Sequence, residues 1–337
     1  MADLKLRWGV LGTGAIATKF AAAVHASTTG SLAAVGSRSL TTAEGFAATW
    51  GAPRAHGGYA SVLSDPEVDA VYIATPHTEH RRWAIAAARA GKHLLVEKPI
   101  TLDAAGAQEV IDAARSNDVF LLEAYQYRSH PQTDLLVDLI RDGAIGEVRL
   151  MQGSFGFHAG FDPSSRLFDP ALGGGGILDV GCYPVSMAVL LARTIGADPT
   201  GAVVAGGGHV GTTGVDEWAA ATITFDGRFV AQVETAVSLN LEWVVRVFGS
   251  TGTITVPSPW LPTRNSGLVI SRPGPADETR VVDSAADLFT LEVDTVARHL
   301  ASKESPTMPW NDTIATMQIL DAWRAALGVS HPSDAAS

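Results

Sequence analysis

Short, nearly unbroken apolar runs punctuate the first part of the chain: Arg7–Leu11, Leu32–Ser37, Ala70–Thr75, His93–Glu97 and Val119–Glu123. Apolar runs that do not alternate mark strands buried on both faces. Between them lie Ala15–Ala26, Thr41–Trp50, Glu79–Ala90 and Leu102–Ser116, rich in alanine and carrying helical spacing. Gly91 follows the third of these where a C-cap glycine is expected. Strand and helix alternate, which predicts βαβ units and a doubly wound parallel sheet.

Past residue 125 the pattern changes. A helix over Gln132–Asp142 leads to Gly143 and Gly146, and Glu147–Phe157 then alternates as a strand does. After the glycine run Gly173–Gly176 comes a helix over Pro184–Thr194. Trp218–Phe225, Phe229–Val237, Trp243–Gly249 and Gly252–Val256 then follow without intervening helices. This predicts an α+β domain with a large, mostly antiparallel sheet. Helices over Leu288–Ser302 and Thr313–Ala326 close the chain, with Asn311 or Asp312 as N-cap of the last. The tail Pro332–Ser337 is expected to be loose. The expected domains are residues 1–123, binding a dinucleotide, and 124–330, binding substrate and forming the oligomer. The terminal helix, 312–327, is expected to pack back on the first.

Composition narrows the function classes. At roughly 100–200 residues per domain, 337 residues make two domains. With 24 basic and 35 acidic residues, 24 − 35 gives a net charge of −11, which argues against nucleic-acid and anionic-membrane surfaces. An apolar share of 46% against 18% charged residues excludes a disordered chain. Cys182, the one cysteine, excludes an intrachain disulfide and any cysteine-based zinc or iron–sulfur site. The start Met1-Ala-Asp-Leu-Lys-Leu-Arg7 has no basic n-region followed by an apolar stretch, and no apolar run approaches ~18 residues. The expectation is a cytoplasmic globular protein.

The first strand runs into Gly12-Thr13-Gly14-Ala15-Ile16-Ala17 and then a helix, the strand–turn–helix setting of a G-x-G-x-x-A dinucleotide fingerprint. Gly12 permits the tight turn, Gly14 lets the backbone approach a pyrophosphate, and Ala17 lets helix and strand pack closely. The helix N-terminus offers N–H groups and a positive dipole end to the phosphates. The second strand ends in Ser37-Arg38-Ser39, with no acidic residue until Glu44. An acidic residue there would bind a ribose 2′-hydroxyl, whereas an arginine suits a 2′-phosphate, so NADP is favoured over NAD.

The fourth strand ends in Glu97-Lys98-Pro99, which aims Lys98 at the crevice outside the carboxyl ends of the strands. Thr75-Pro76-His77-Thr78-Glu79-His80 ends the third strand in the same plane. His77 and His80 have the spacing of a metal pair, but no third ligand accompanies them and Arg81-Arg82 would repel a cation, so no metal is expected. Downstream, Asp179 and Tyr183 stand i, i+4 and would share a helix face. A phenol, with a reference pKa of ~10, serves as a base only when a cation favours the phenolate, and Lys98 could supply that charge. Cys182 has no evident base partner and reads as a small apolar group.

Together, Gly12-x-Gly14-x-x-Ala17, Ser37-Arg38, Thr75-Pro76-x-x-x-His80, Glu97-Lys98-Pro99 and Gly-Gly-x-x-x-Asp179-x-Gly-Cys-Tyr183-Pro resemble the Gfo/Idh/MocA oxidoreductases. The resemblance spans almost the whole chain. Tyr183, where many members carry histidine, and the stretch Glu123–Pro131 look like the branch of dimeric dihydrodiol dehydrogenase, NADP-dependent xylose dehydrogenase and glucose–fructose oxidoreductase. It implies a Rossmann domain, Lys98 and Tyr183 as the catalytic pair, and a cis Lys98–Pro99 bond. Asp179, Tyr125, Arg128, Phe157 and His158 are the implied substrate contacts. Gly12, Thr13, Gly14, Ala15, Ile16, Ser37, Arg38, Thr75, Pro76, His77, His80, Glu97 and Lys98 are the implied cofactor contacts. A homodimer or homotetramer through the second-domain sheet is also implied. The expected reaction moves a hydride between nicotinamide C4 and a CH–OH carbon of a cyclic polyol, foremost an aldopyranose. The absence of a further basic cluster disfavours a sugar phosphate. The rivals are a trans-dihydrodiol or an anhydro-ketose as substrate, or a sensor that binds the dinucleotide and catalyses nothing.

Overall fold

The computed structural model describes residues 5–330, so the tail Pro332–Ser337 lies outside it. Two compact units make up the chain. The first runs up to Thr101 and includes Ala105–Ser129 and Ala286–Trp310. The second comprises Leu102–Ala104, His130–Ala285 and the residues from Asn311 onward. The division is therefore discontinuous, where the sequence suggested a single break after residue 123.

The first unit holds a six-stranded parallel sheet in the order β3-β2-β1-β4-β5-β6. Its strands are β1 (Leu6–Leu11), β2 (Gly30–Gly36), β3 (Arg54–His56), β4 (Ala70–Ile73), β5 (His93–Glu97) and β6 (Leu121–Ala124). Its helices are α1 (Ala15–Ala26), α2 (Leu40–Trp50), α3 (Tyr59–Leu63), α4 (His77–Arg89), α5 (Ala104–Ser116) and, from far down the chain, α8 (Leu288–His299). The edge strand β3 and the short α3 left no clear pattern, because Arg54–His56 are half-buried and mostly polar. The strand order reverses beside β1, whose neighbours β2 and β4 both run parallel to it. In open α/β sheets such a switch point opens a crevice at the carboxyl ends of the strands, where ligands bind. α1 is fastened below that crevice by Phe20, which stacks on Tyr72 of β4 at 3.9 Å and meets Trp8 of β1 edge-on at 5.1 Å. α8 is tied to the end of α1 through Asp294, which accepts hydrogen bonds from Ser27 Oγ (2.5 Å) and Thr29 Oγ1 (2.6 Å).

In the second unit an eight-stranded sheet has the order β14-β13-β12-β11-β7-β10-β9-β8. Its strands are β7 (Val148–Gly156), β8 (Val203–Val210), β9 (Asp216–Phe225), β10 (Phe229–Ala236), β11 (Val244–Gly249), β12 (Thr253–Pro257), β13 (Asn265–Ser271) and β14 (Glu278–Asp283). Only the β7–β10 pairing is parallel. The outer strands β8, β13 and β14 escaped the hydrophobic pattern. β8 carries Gly206–Gly208, and β14 is a largely exposed polar edge. The helices are α6 (Pro131–Arg141), α7 (Cys182–Thr194) and α9 (Trp310–Leu327). A Cβ at Gly153 of β7 would lie 3.3 Å from Pro184 Cβ, so the missing side chain is what lets α7 lie close to the sheet. One face of the sheet is left open, since along β9 Trp218 (41% exposed), Ala220 and Thr222 are exposed and alternate with the buried Ala219, Ala221 and Ile223.

The last helix differs from the sequence reading in where it starts. Trp323 packs against Gly206 of β8 and against Gly181, which builds α9 into the second unit. That helix also starts before the expected cap residues, and Asp312, fully buried in its first turn, pairs with Arg193 at 3.0 Å. The apolar stretch Pro170–Thr194 reaches a mean hydropathy of 1.6 in its most apolar window, but that window is wholly buried, which makes α7 a core helix.

Phe20→Ala should cost about 3–5 kcal/mol, the usual loss for a buried aromatic. Urea unfolding followed by circular dichroism would check this, and a loss below about 1 kcal/mol would mean that Phe20 does not anchor α1.

Candidate active site

The dinucleotide crevice is assembled by the turns that end β1, β2, β4 and β5. Gly12 has φ +122°, and a Cβ there would stand 2.7 Å from the Ala74 carbonyl oxygen, so only glycine makes this turn. Gly14 caps α1 at an ordinary φ of −76°, with no side chain satisfying the first N–H groups of the helix and open space where its Cβ would be. Thr75 is 8% exposed, and its Oγ1 is buried without a hydrogen-bond partner among the described residues. Arg38 is exposed beyond the end of β2, and no described residue pairs with its guanidinium. An uncapped helix start, a glycine cradle and an unpaired arginine fit a nicotinamide dinucleotide carrying a 2′-phosphate.

The end of β5 is held from several sides. Glu97, 6% exposed, accepts hydrogen bonds from Tyr72 Oη, from Gln126 Nε2 (3.4 Å) and from the Lys98 backbone N–H (3.3 Å). Glu123 accepts from the Ile100 N–H at 2.9 Å. The Lys98–Pro99 bond is cis. His80 is wholly buried, with Nδ1 2.9 Å from the Pro99 carbonyl oxygen and Nε2 2.9 Å from that of Thr75. Burial pushes its pKa down against the pull of those two carbonyls, and a neutral ring donates to only one of them at a time. His80 therefore ties the ends of β4 and β5 together, a different role from the cofactor contact expected of it. His77 opens α4, with its ring 5.7 Å from that of His80.

Two of the expected substrate contacts lie deep in the first unit. Tyr125 and Arg128 are each 2% exposed, and Arg128 Nη1 donates to the Thr307 carbonyl at 3.1 Å. That bond ties the turn after β6 to the segment following α8, a structural role where a substrate contact was expected.

The second unit gathers Asp179, Tyr183, Phe157 and His158 differently. Asp179 sits in a π-helical turn, Ile177–Gly181, that leads into α7, so the simple i, i+4 helix face does not apply. It is 3% exposed, and Arg166 Nη1 reaches it at 2.8 Å from an exposed loop. Tyr183 lies edge-on to Phe155 (5.1 Å) and Trp260 (6.0 Å), and Phe155 also meets Trp243 at 4.8 Å. Both indoles are fixed through Nε1, Trp243 on the Gly156 carbonyl (2.9 Å) and Trp260 on that of Ser154 (2.8 Å). Sequence reasoning missed Arg166, Trp243 and Trp260, since no motif spacing marks residues that meet only through sheet register. Phe157 is half-buried, and exposed His158 holds the Ser238 carbonyl through Nδ1 at 2.7 Å.

The π turn has its own buried support. Asp216 Oδ2 accepts the Ile177 N–H at 2.6 Å, and a Cβ on Gly175 (φ +110°) would come within 2.3 Å of Asp216 Oδ1. Burial pushes this carboxyl up to about 7, against the opposing pull of the backbone N–H groups around it and of the Arg324 charge.

Comparison with known proteins agrees with this architecture. Residues 6–125 match the "Oxidoreductase family, NAD-binding Rossmann fold", and residues 134–255 match the "GFO/IDH/MocA C-terminal domain". The chain belongs to the Gfo/Idh/MocA oxidoreductases. It is 31% identical to the trans-1,2-dihydrobenzene-1,2-diol dehydrogenase of Mus musculus, over 98% of this chain and 99% of that one. A 3-ketoreductase from Actinomadura kijaniata, solved with NADP and TDP-benzene, superposes with a TM-score of 0.86 at 28% identity, covering 96% of this chain and 98% of the other. An aldose-aldose oxidoreductase from Caulobacter crescentus, complexed with glycerol, also gives 0.86, at 25% identity and coverage of 96% and 97%.

Two measurements follow from this geometry. Gly12→Ala should destabilise the fold, whereas Gly14→Ala should leave thermal stability unchanged and weaken dinucleotide binding, as read by calorimetric titration. Equal loss of stability in both would show that the two glycines do the same job. For Asp216, the folded pKa lies above the unfolded 3.8, so its contribution to stability is full below about 4 and is lost as pH rises towards about 7. Asp216→Asn should flatten that slope in urea titrations across this window, and an unchanged slope would assign it to other groups.

Proposed function

We propose that this oxidoreductase is an NADP-dependent dehydrogenase of a ring-bearing polyol, foremost an aldopyranose, with Lys98 and Tyr183 as its catalytic pair. The observation that carries the substrate class is the aromatic cluster of Tyr183, Phe155, Trp243 and Trp260 near buried Asp179, of which Trp260 lies wholly inside and the half-buried Trp243 presents an open face. Aromatic faces match the C–H faces of a sugar ring, while a carboxylate takes its hydroxyls. NADP rests on unpaired Arg38 with no acidic neighbour, and the A. kijaniata 3-ketoreductase was itself solved with NADP.

A bound nicotinamide supplies the hydride acceptor in oxidation and the donor in reduction. Gly12, Gly14, the first N–H groups of α1, Thr75 and Arg38 would hold the dinucleotide. In oxidation Tyr183 Oη takes the proton of the reacting hydroxyl, and the Lys98 ammonium hydrogen-bonds the same oxygen. Asp179 orients a neighbouring hydroxyl, with Arg166 as its counter-charge. A trans-dihydrodiol is the second reading, favoured by the same aromatic cluster and by the diol dehydrogenases among the relatives. The open face of the eight-stranded sheet, with Trp218 exposed, is where a homodimer or homotetramer would pair.

The test is a panel of aldoses and trans-dihydrodiols with NADP and with NAD, followed by nicotinamide absorbance. Turnover of an aldose with a higher kcat/KM for NADP is expected, and Arg38→Ala should erode that preference. Tyr183→Phe and Lys98→Met should each lower kcat by about 10²–10⁴, the usual contribution of general acid–base catalysis. The double variant should be little worse than either single one. Near-normal kcat in Tyr183→Phe would remove Tyr183 from the mechanism.

A further inference from the structure

Tyr72 of β4 is completely buried, and its ring lies flat on Phe20 of α1, with centroids 3.9 Å apart and planes 15° from parallel. Phenylalanine has the same ring, so what distinguishes a tyrosine here is its hydroxyl, which donates to Glu97 Oε1 at the end of β5. Strand register explains the reach. Tyr72 stands opposite Leu95, and side chains alternate along a strand, so Glu97 projects on the same face, diagonally beyond Leu95. Gln126 Nε2 donates to the same oxygen at 3.4 Å, from the turn that follows β6. With two donors on Oε1, the other oxygen, Oε2, accepts the Lys98 N–H at 3.3 Å. The Gln126 and Lys98 bonds are both at the long end of the hydrogen-bond range, so the phenol is the donor that sets the orientation of the carboxyl. A glutamate side chain has several rotatable bonds, and it keeps Oε2 on one N–H only when something holds its other oxygen.

We propose that Tyr72 is a positioning residue, whose hydroxyl fixes the Glu97 carboxyl so that Oε2 holds the Lys98 backbone and thereby sets where the Lys98 side chain starts. The route is a chain of direct contacts: Phe20 on the Tyr72 ring, Tyr72 Oη to Glu97 Oε1, and the Lys98 N–H to Glu97 Oε2. The next groups along the turn are held independently of Tyr72. Glu123 takes the Ile100 N–H at 2.9 Å, and His80 Nδ1 stands 2.9 Å from the Pro99 carbonyl oxygen. Of these three backbone groups, the Lys98 N–H is the one that depends on the tyrosine. The effect on turnover rests on the catalytic role proposed for Lys98, but the hold on the backbone does not.

Tyr72→Phe tests this, since it removes one oxygen and keeps the stack on Phe20. Amide hydrogen exchange reads the backbone without any substrate. The Lys98 N–H should exchange about 3–10-fold faster in Tyr72→Phe, the usual net worth of one hydrogen bond, and the Ile100 N–H at the wild-type rate. Lys98 exchange at the wild-type rate overturns the proposal. An equal rise at Ile100 does so too, because it would mean a general loosening of the strand end. A double-mutant cycle then tests the route. In Glu97→Leu the carboxyl through which Tyr72 acts is gone, so adding Tyr72→Phe should change Lys98 exchange no further. A further rise would show that Tyr72 acts by another path, which overturns the proposal; should Glu97→Leu fail to fold, exchange in the single variant decides. In turnover with NADP, kcat of Tyr72→Phe should fall by about tenfold with KM for NADP unchanged, because a small misplacement of an acting group slows chemistry without loosening the dinucleotide. Faster Lys98 exchange with unaltered kcat would keep the hold on the backbone and overturn its link to catalysis. Near-normal kcat in Lys98→Met would instead remove Lys98 from the mechanism and leave the exchange result standing.

Discussion

Where a parallel strand ends inside a crevice, its last backbone groups lose their ladder partners in a place with little water. Those groups have to be satisfied by side chains or left for a ligand. The first unit does both. At the start of α1 the N–H groups are left uncapped, which makes that end a site for phosphate. At the end of β5 the opposite happens, with Glu97, Glu123 and His80 each holding a backbone group of residues 98–100 or the carbonyl beside them. The backbone at Lys98 and Ile100 is thereby held by buried acids.

Those acids carry an electrostatic cost that explains the surrounding sequence. A buried carboxylate survives only with donors around it, and Tyr72, Gln126 and backbone N–H groups supply them to Glu97. Asp216 in the second unit has one oxygen bonded to the Ile177 N–H and the other unsatisfied, and burial raises its pKa. In both units the groups proposed to act on substrate rest on a layer of buried polar residues. Substitutions in that layer are expected to act on activity through geometry.

The second unit divides its labour by face. Glycine on β7 and β8 allows α7 and Trp323 to approach the sheet closely, and the aromatic side chains near the end of β7 collect around Tyr183. The same sheet leaves its other face open, away from the face on which α7 packs.

Much was legible in the chain alone. β5 and α1 have the bounds that hydrophobic spacing predicts, and the glycine fingerprint lies between β1 and α1 as the pattern requires. These features are local, since burial on both faces and the need for a positive φ at Gly12 leave their mark on neighbouring residues. Other features needed the tertiary structure. The move of α8 into the first unit, the burial of His80 and Arg128, and the pairing of Arg166 with Asp179 join residues far apart in sequence, which no local spacing encodes. The burial of Glu292 of α8, 1% exposed with an unbonded Oε2, could not be read from the sequence either, because a glutamate in an amphipathic helix looks like a solvated one until the packing around it is known. Local chemistry determined which segments become strands, helices and phosphate turns, whereas long-range packing decided which polar groups lose their water, and with it which of them can act.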